Sequence, residues 1–309
     1  MRVVVVATGD IALPTWEWLV ASPWQVVALV TQPDKPAGRR MQLTPPEIKL
    51  RALAAGIPVM QPESLRRKSA IDTVAALHPD LIVVMAYGQV LTQRFLDIPP
   101  LGCINVHASL LPKYRGASCI QAALDHGDAE TGITVMHMVR ALDAGDIILQ
   151  QSLLIRAEET GETLHDALAQ LAPMTLAAAM DLLRQGNANR VSQEESLVSY
   201  VGKLTRDDGR IDWSRSAVEL ERRIRAYHPW PGTYTTLEQG GRVKIFPPTT
   251  VLDDIDMPAG EGTLHNQQII IGCGQGAIAL TDVQAEGGKR MSAVDFARGQ
   301  RGGFRFAQS

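Results

Sequence analysis

The chain has 309 residues, of which 45% are hydrophobic and 20% charged, with a net charge of −3. That length allows two domains or one large one with sizeable cores, and the composition excludes a disordered or fibrous chain. The near-neutral balance excludes a global positive field for nucleic acid, so any RNA contact must come from local patches. The three cysteines, Cys103, Cys119 and Cys273, form no CxxC pair. This argues against a zinc site or disulfide framework and fits a reducing compartment. The apolar run after Met1 is too short for a signal peptide, and no run approaches the roughly 18 apolar residues of a membrane span. The expectation is a cytoplasmic protein.

Taken in chain order, short apolar runs at 3–7, 26–31, 81–86 and 103–106 alternate with helical patterns at 13–21, 46–55, 64–77 and 117–126. Such alternation predicts right-handed βαβ crossovers and a doubly wound, mostly parallel Rossmann-like α/β sheet. Residues 133–139 and 147–155 read as two further strands, joined as one hairpin. A long helix follows, with Thr163 as its cap, Asp166 three residues on, Pro173 as a kink and Gly186 as its end. Residues 189–205 are polar and read as a linker between a domain at 1–188 and another at 206–309. In the latter domain a single helix, 216–226, precedes β-type runs at 234–237, 242–246, 262–264, 268–272 and 277–283. Their spacing predicts a small OB-like β-barrel.

The segment richest in chemistry runs from Gly102 to Gly116. Asn105 and His107 are two apart, so on a strand they point to one side. They fall at the carboxyl end of a parallel strand, where open α/β sheets place ligands. Imidazole moves protons near neutral pH, and an amide donates to a developing oxyanion. Asp143, in the loop Leu142-Asp143-Ala144-Gly145-Asp146, could orient such an imidazole. On spacing alone the bland reading stays open: a strand-end asparagine, a satisfied loop histidine and a turn aspartate. Gly9 belongs to no GxGxxG fingerprint and reads as a turn glycine. His126, His137, His165 and His265 lack metal-ligand spacing, His228 reads as structural, and Cys119 reads as a small buried hydrophobe.

The pattern Asn105-x-His107-x-Ser109-Leu110-Leu111-Pro112-x-x-Arg115-Gly116, followed by Leu142-Asp143-x-Gly145-Asp146, resembles the signature of the folate-dependent formyltransferases. The resemblance implies catalytic roles for Asn105, His107 and Asp143. It implies a folate site lined by Ser109, Leu110, Leu111 and Pro112, with backbone groups of Ala86, Tyr87 and Gly88 against the pterin ring. It implies 10-formyltetrahydrofolate as formyl donor and no metal. Residues 31–39 resemble an insertion of the family's tRNA-acting branch that engages the acceptor end of the tRNA. Residues 208–213, 224–232 and 287–292 resemble that branch's C-terminal barrel, so the likeness covers nearly the whole chain. It implies methionyl initiator tRNA as acceptor and tRNA contacts from Lys35, Arg39, Arg40, Lys289 and Arg290; a monomer is expected, though nothing in the sequence sets the oligomeric state. By charge alone, the basic tail from Lys289 is equally a phosphate patch or a solvated terminus. Two places depart from the family pattern. A Gly-Thr-Pro turn is replaced by Ala7-Thr8-Gly9-Asp10, and the proline after Arg115-Gly116 by Ala117-Ser118-Cys119. A formyltransferase for a nucleotide or amino sugar, or a non-catalytic RNA-binding protein, would be the rivals. The 32–39 loop and trailing barrel oppose the first, and the intact trio opposes the second.

Overall fold

Val3 to Ala7 of β1 (Arg2–Ala7) are all buried, on both sides of the strand, so β1 lies in the middle of a covered sheet. The computed structural model describes residues 1–38, 41–265, 268–299 and 304–307. Two compact units emerge: Met1–Cys119, Thr131–Leu154 and His165–Val201 form the first, and Ile120–Glu130, Ile155–Leu164 and Gly202–Ser309 the second.

After β1 come α1 (Leu13–Ala21), β2 (Gln25–Val30), β3 (Lys35–Ala37), β4 (Gln42–Thr44), α2 (Glu47–Ala54) and β5 (Val59–Met60). Then follow α3 (Lys68–Ala75), β6 (Leu81–Met85), α4 (Gln93–Leu96), β7 (Cys103–His107), β8 (Arg115–Gly116) and α5 (Cys119–His126). The series closes with β9 (Glu130–His137), β10 (Ile147–Leu154), α6 (Gly161–Arg184) and β11 (Tyr200–Val201). Among the described residues the main sheet has seven strands in the order β10-β9-β7-β6-β1-β2-β5. β6 and β2 flank β1 in parallel, β7 runs parallel to β6, and β9 is antiparallel to β7. The chain first winds outward from β1 to β2 and β5, then returns to β6 and β7. The strand order therefore reverses between β1 and β6, which opens a crevice at their carboxyl ends.

Two expectations are corrected. α3 starts at Lys68, because Ser64 folds a turn first: Arg66 N donates to Ser64 Oγ at 3.2 Å and Arg67 N to Ser64 O at 3.3 Å. The long helix starts at Gly161 and its cap is Thr160. Thr163 N donates to Thr160 Oγ1 at 3.2 Å while Thr160 N donates to Thr163 Oγ1 at 2.9 Å, so Thr163 already lies in the first turn. Asp166 instead accepts from His165 Nδ1 at 3.0 Å. The stretch expected to link two domains also makes contacts of its own. Ile147 and Val191 exchange backbone hydrogen bonds of 2.8 and 3.1 Å, and β11 pairs in parallel with β8.

In the second unit, α7 (Ala217–Ala226) begins with a capping box between Ser216 and Glu219. β12 (Thr233–Thr236), β13 (Arg242–Leu252), β14 (Glu261–His265), β15 (Gln268–Gly272), β16 (Ala277–Ala285), β17 (Met291–Ser292), α8 (Ala293–Arg298) and β18 (Phe304–Arg305) follow. The strands run β12-β13-β16-β15-β14-β18, with antiparallel pairing. A bridge between Leu237 and Phe306 joins the two ends of the path, so the sheet closes on itself. β13 runs past the expected 242–246 because a register shift between Phe246 and Thr249 absorbs Pro247 and Pro248, which have no N–H to give the ladder. Trp213, Leu220, Ile224, Ile245, Ile271 and Phe306 centre its core. The inserted segments are tied in by Arg223–Asp125 at 2.8 Å and by Arg225 Nη1 donating to Glu159 O at 2.7 Å. No helix among the described residues is long and apolar enough to cross a membrane.

Candidate active site

β7 is held from both sides, by β6 through Val84↔Asn105 and by β9 through Asn105↔Met136 and His107↔Thr134. Its last residues therefore sit on a rigid base at the carboxyl edge of the sheet. Asn105 and His107 are both buried there. Beyond β7 the chain must turn, and polar groups of β9 and β10 shape that turn. Thr134 Oγ1 donates to Ser109 O at 2.6 Å and accepts from Leu111 N at 3.1 Å. Gln150 Nε2 donates to Leu111 O at 2.8 Å and to Thr134 Oγ1 at 2.9 Å. Ser109 Oγ donates to Lys113 O at 2.7 Å. The bond between Leu111 and Pro112 is cis. Ser109 and Leu111 are buried, while Leu110 and Pro112 are half-buried.

His107 is steadied by a backbone group. Its Nε2–H donates to Tyr114 O at 3.0 Å, and Tyr114 itself takes the left-handed φ of 62°. Its Nδ1 faces Asp143 Oδ2 at 3.8 Å, an ion-pair separation and too long for a hydrogen bond. The same carboxylate oxygen accepts from Gly116 N at 2.8 Å. Cys119 lies close to the ring as well and favours its protonated form. Burial disfavours the imidazolium, but Cys119, the Asp143 carboxylate and the Tyr114 carbonyl outweigh it and push the His107 pKa up to about 9.

One strand away, β6 ends in Ala86 at φ 47°, buried Tyr87 and Gly88 at φ 77°. These left-handed residues turn main-chain polar groups out of the ladder at the crevice. Gly9 N donates to Ala86 O at 3.2 Å, and a Cβ on Gly9 would come within 3.0 Å of Ala86 Cβ. The close approach of these two turns accounts for the glycine. Gln32 donates to Tyr87 O, and Lys35 donates in turn to the Gln32 side-chain oxygen. Burial lifts the Tyr87 phenol to about 12.

The first unit thus brings Asn105, His107 and Asp143 together beside Ser109–Pro112, with Ala86–Gly88 at the end of the adjacent strand. Lys35 is exposed on β3. Arg39 and Arg40 lie outside the described residues, as does Arg301 of the basic tail. Within the second unit, Lys289 is exposed and Arg290 pairs with Asp282 at 2.6 Å and lies 4.5 Å from the Phe246 ring centre. Arg298 pairs with Asp295 at 3.3 Å, and Arg305 pairs with Glu261. No group of three or more His, Cys, Asp or Glu among the described residues could hold a metal ion. Sequence reasoning missed Tyr114, Thr134 and Gln150, and it gave Cys119 no polar contact. Tyr114 acts through its carbonyl, which leaves no side-chain signal; the departure at Cys119 was visible, but not its reach to His107.

Residues 1–180 match the family described as formyl transferase, and residues 203–301 match the formyl transferase C-terminal domain. The chain belongs to the formyl transferase family of enzymes. Among its relatives, a methionyl-tRNA formyltransferase of Akkermansia muciniphila is 50% identical over 297 residues, covering 94% of each chain. A methionyl-tRNA formyltransferase of Pseudomonas entomophila is 44% identical over 307 residues, covering 97% of this chain and 96% of that one. HypX from Aquifex aeolicus, in a crystal structure with tetrahydrofolic acid, shares the fold with a TM-score of 0.61 at 15% identity. That match covers 96% of this chain and 46% of HypX, so the chain spans about half the length of that protein.

Proposed function

We infer that the protein transfers the formyl group of 10-formyltetrahydrofolate to the free amino group of methionyl initiator tRNA, as a cytoplasmic monomer. The observation that carries this reading is the buried His107 imidazole at the carboxyl end of β7, held by the Tyr114 carbonyl and facing the Asp143 carboxylate at 3.8 Å, with buried Asn105 two residues before it on the same strand. Acyl transfer puts negative charge on the formyl oxygen as the amine attacks, and donors fixed in advance stabilise that charge. Two such donors, the Asn105 amide and the His107 imidazole, fit a formyl group without a covalent intermediate. The Tyr114 carbonyl orients the ring, and Asp143 favours its charged form from 3.8 Å. In this reading Asp143 also relays the amine proton towards the departing folate nitrogen. Ser109 to Pro112 and the main chain of Ala86, Tyr87 and Gly88 form the folate wall.

Residues 1–188 make up the transfer domain, 189–205 the connection and 206–309 the tRNA-binding domain. The acceptor assignment rests on near-full-length relatives bearing that name. Lys35, Arg39 and Arg40 on the first domain, and Lys289 and Arg290 on the second, supply the tRNA contacts. A formylation assay offering charged initiator tRNA, charged elongator tRNA and glycinamide ribonucleotide tests the reading. Formyl transfer to the initiator alone is expected. Transfer to the ribonucleotide, or to no acceptor, would overturn it.

A further inference from the structure

The polar stretch after α6 bears no chemical motif, yet one of its side chains touches both loops that hold the trio. Gln193 Nε2 donates to Asp143 O at 2.8 Å and to Gly145 O at 2.9 Å. Its Oε1 accepts from Arg115 Nε at 3.0 Å. A single amide therefore uses both its donors and its acceptor on residues flanking the His107–Asp143 pair. Asp143 takes a left-handed φ of 47°, a conformation that aspartate tolerates better than most side chains, and the two carbonyl contacts hold the loop in it. Gly145 adds a constraint of its own, because a Cβ there would meet His137 O at 1.7 Å.

Arg115 completes the link. Its side chain is almost wholly buried and also donates to Glu195 Oε1 at 3.0 Å and Tyr200 Oη at 3.2 Å. Arg115 precedes Gly116, whose N–H grips the Asp143 carboxylate at 2.8 Å. Gln193 thus fixes Asp143 twice, at its own carbonyl and through the residue next to its carboxylate donor. A few residues on, Ser199 Oγ accepts from Tyr114 N at 2.9 Å and Ser199 O from Arg115 N at 2.8 Å, which braces the carbonyl that orients His107.

We propose that Gln193 is a positioning residue for formyl transfer, setting the separation between the Asp143 carboxylate and the His107 imidazole. This rests on the reading of that pair as belonging to the transfer machinery. Gln193→Ala removes these three hydrogen bonds, together with a longer one from Nε2 to Met136 Sδ at 3.9 Å. Gln193→Glu keeps the volume and the acceptor for Arg115 but loses the donors to both carbonyls. Both should lower kcat about tenfold or more, as expected when a reacting group is misplaced by a fraction of an ångström or more. KM for the folate donor should change less than about twofold, since the folate wall is untouched. The alkaline limb of the kcat profile should move to lower pH, because a retreating Asp143 no longer supports the charge on His107 while Cys119 still does. In an Asp143→Asn background, Gln193→Ala should add less than about twofold further loss. Unchanged kcat in either variant, an unmoved limb, additive losses with Asp143→Asn, or unfolding before activity falls would each mark Gln193 as merely structural and overturn the proposal. The wild-type enzyme, run in parallel on charged initiator tRNA, keeps the two ideas apart. If it transfers no formyl group the functional reading fails, whereas an active wild type beside unaffected variants sinks only the role of Gln193.

Discussion

A buried imidazole ordinarily loses its proton, because a cation is poorly solvated away from water. His107 reverses that rule because three electron-rich groups converge on it: Cys119, Asp143 and the Tyr114 carbonyl. The sign of the effect on stability follows. A pKa raised from 6.5 to about 9 contributes stability that is fully present below 6.5 and is lost as pH climbs through about 9. Urea unfolding across that window should therefore show falling stability with rising pH, and His107→Ala should flatten the slope. Activity should depend on pH from both sides. The attacking amine must be neutral, so kcat/KM rises with pH at first, then falls as His107 deprotonates near 9. Asp143→Asn removes one of the raising charges and should shift the alkaline limb downwards while leaving KM for folate near its wild-type value. A limb that stayed in place would show that Asp143 does not face the working imidazole. At this scale the sequence was legible where side chains carry the proposed chemistry. The spacing of Asn105 and His107 on a strand was enough to pair them. It was silent about Tyr114, whose contribution is a carbonyl at φ 62°, and about Gln193, a polar residue in a polar stretch.

At the scale of elements, the long buried strands were readable because continuous Val, Ile and Leu is the pattern of a sheet covered on both faces. β8 and β11 were not, because two residues have no period. Their pairing nevertheless governs the site. Gly116 has φ 121°, and a Cβ there would lie 2.1 Å from Val201 O. Gly116→Ala should therefore force β8 from β11 and draw the Gly116 N–H away from Asp143. Denaturant unfolding should show a loss of about 1–3 kcal/mol, accompanied by a fall in kcat. Wild-type stability in this variant would contradict the pairing. The β3–β4 hairpin poses a different question. Its described residues include exposed Lys35, Met41 and Leu43, an unusual surface for a segment with no core of its own. In the proposed function it meets the tRNA, so Arg39→Ala should reduce kcat/KM for methionyl-tRNA about tenfold, near the loss of one charge-assisted contact of about 1.5 kcal/mol. Folate affinity should hardly change. An equal fall in both would move Arg39 to the folate pocket.

For the whole molecule, the sequence suggested one cut between two independent halves. The contacts are more interleaved. Residues 120–130 and 155–164 precede that cut but pack in the second unit, through Asp125 with Arg223 and Glu159 with Arg225. Such pairs lie 98 and 66 residues apart, and nothing local in the chain announces them. Truncation after Arg206 should consequently leave a chain with a lower Tm than the full-length protein, since both segments lose their partners; a truncated chain as stable as the whole would show that the interleaving carries no weight. The account as a whole stands on the trio at the end of β7. Its most direct test is single-turnover formylation of charged initiator tRNA from 10-formyltetrahydrofolate by the wild-type enzyme and by His107→Ala. The wild type should transfer the formyl group, and the folded variant should do so at least about 10²-fold more slowly. A variant retaining more than about a tenth of the wild-type rate would contradict the central role given to His107.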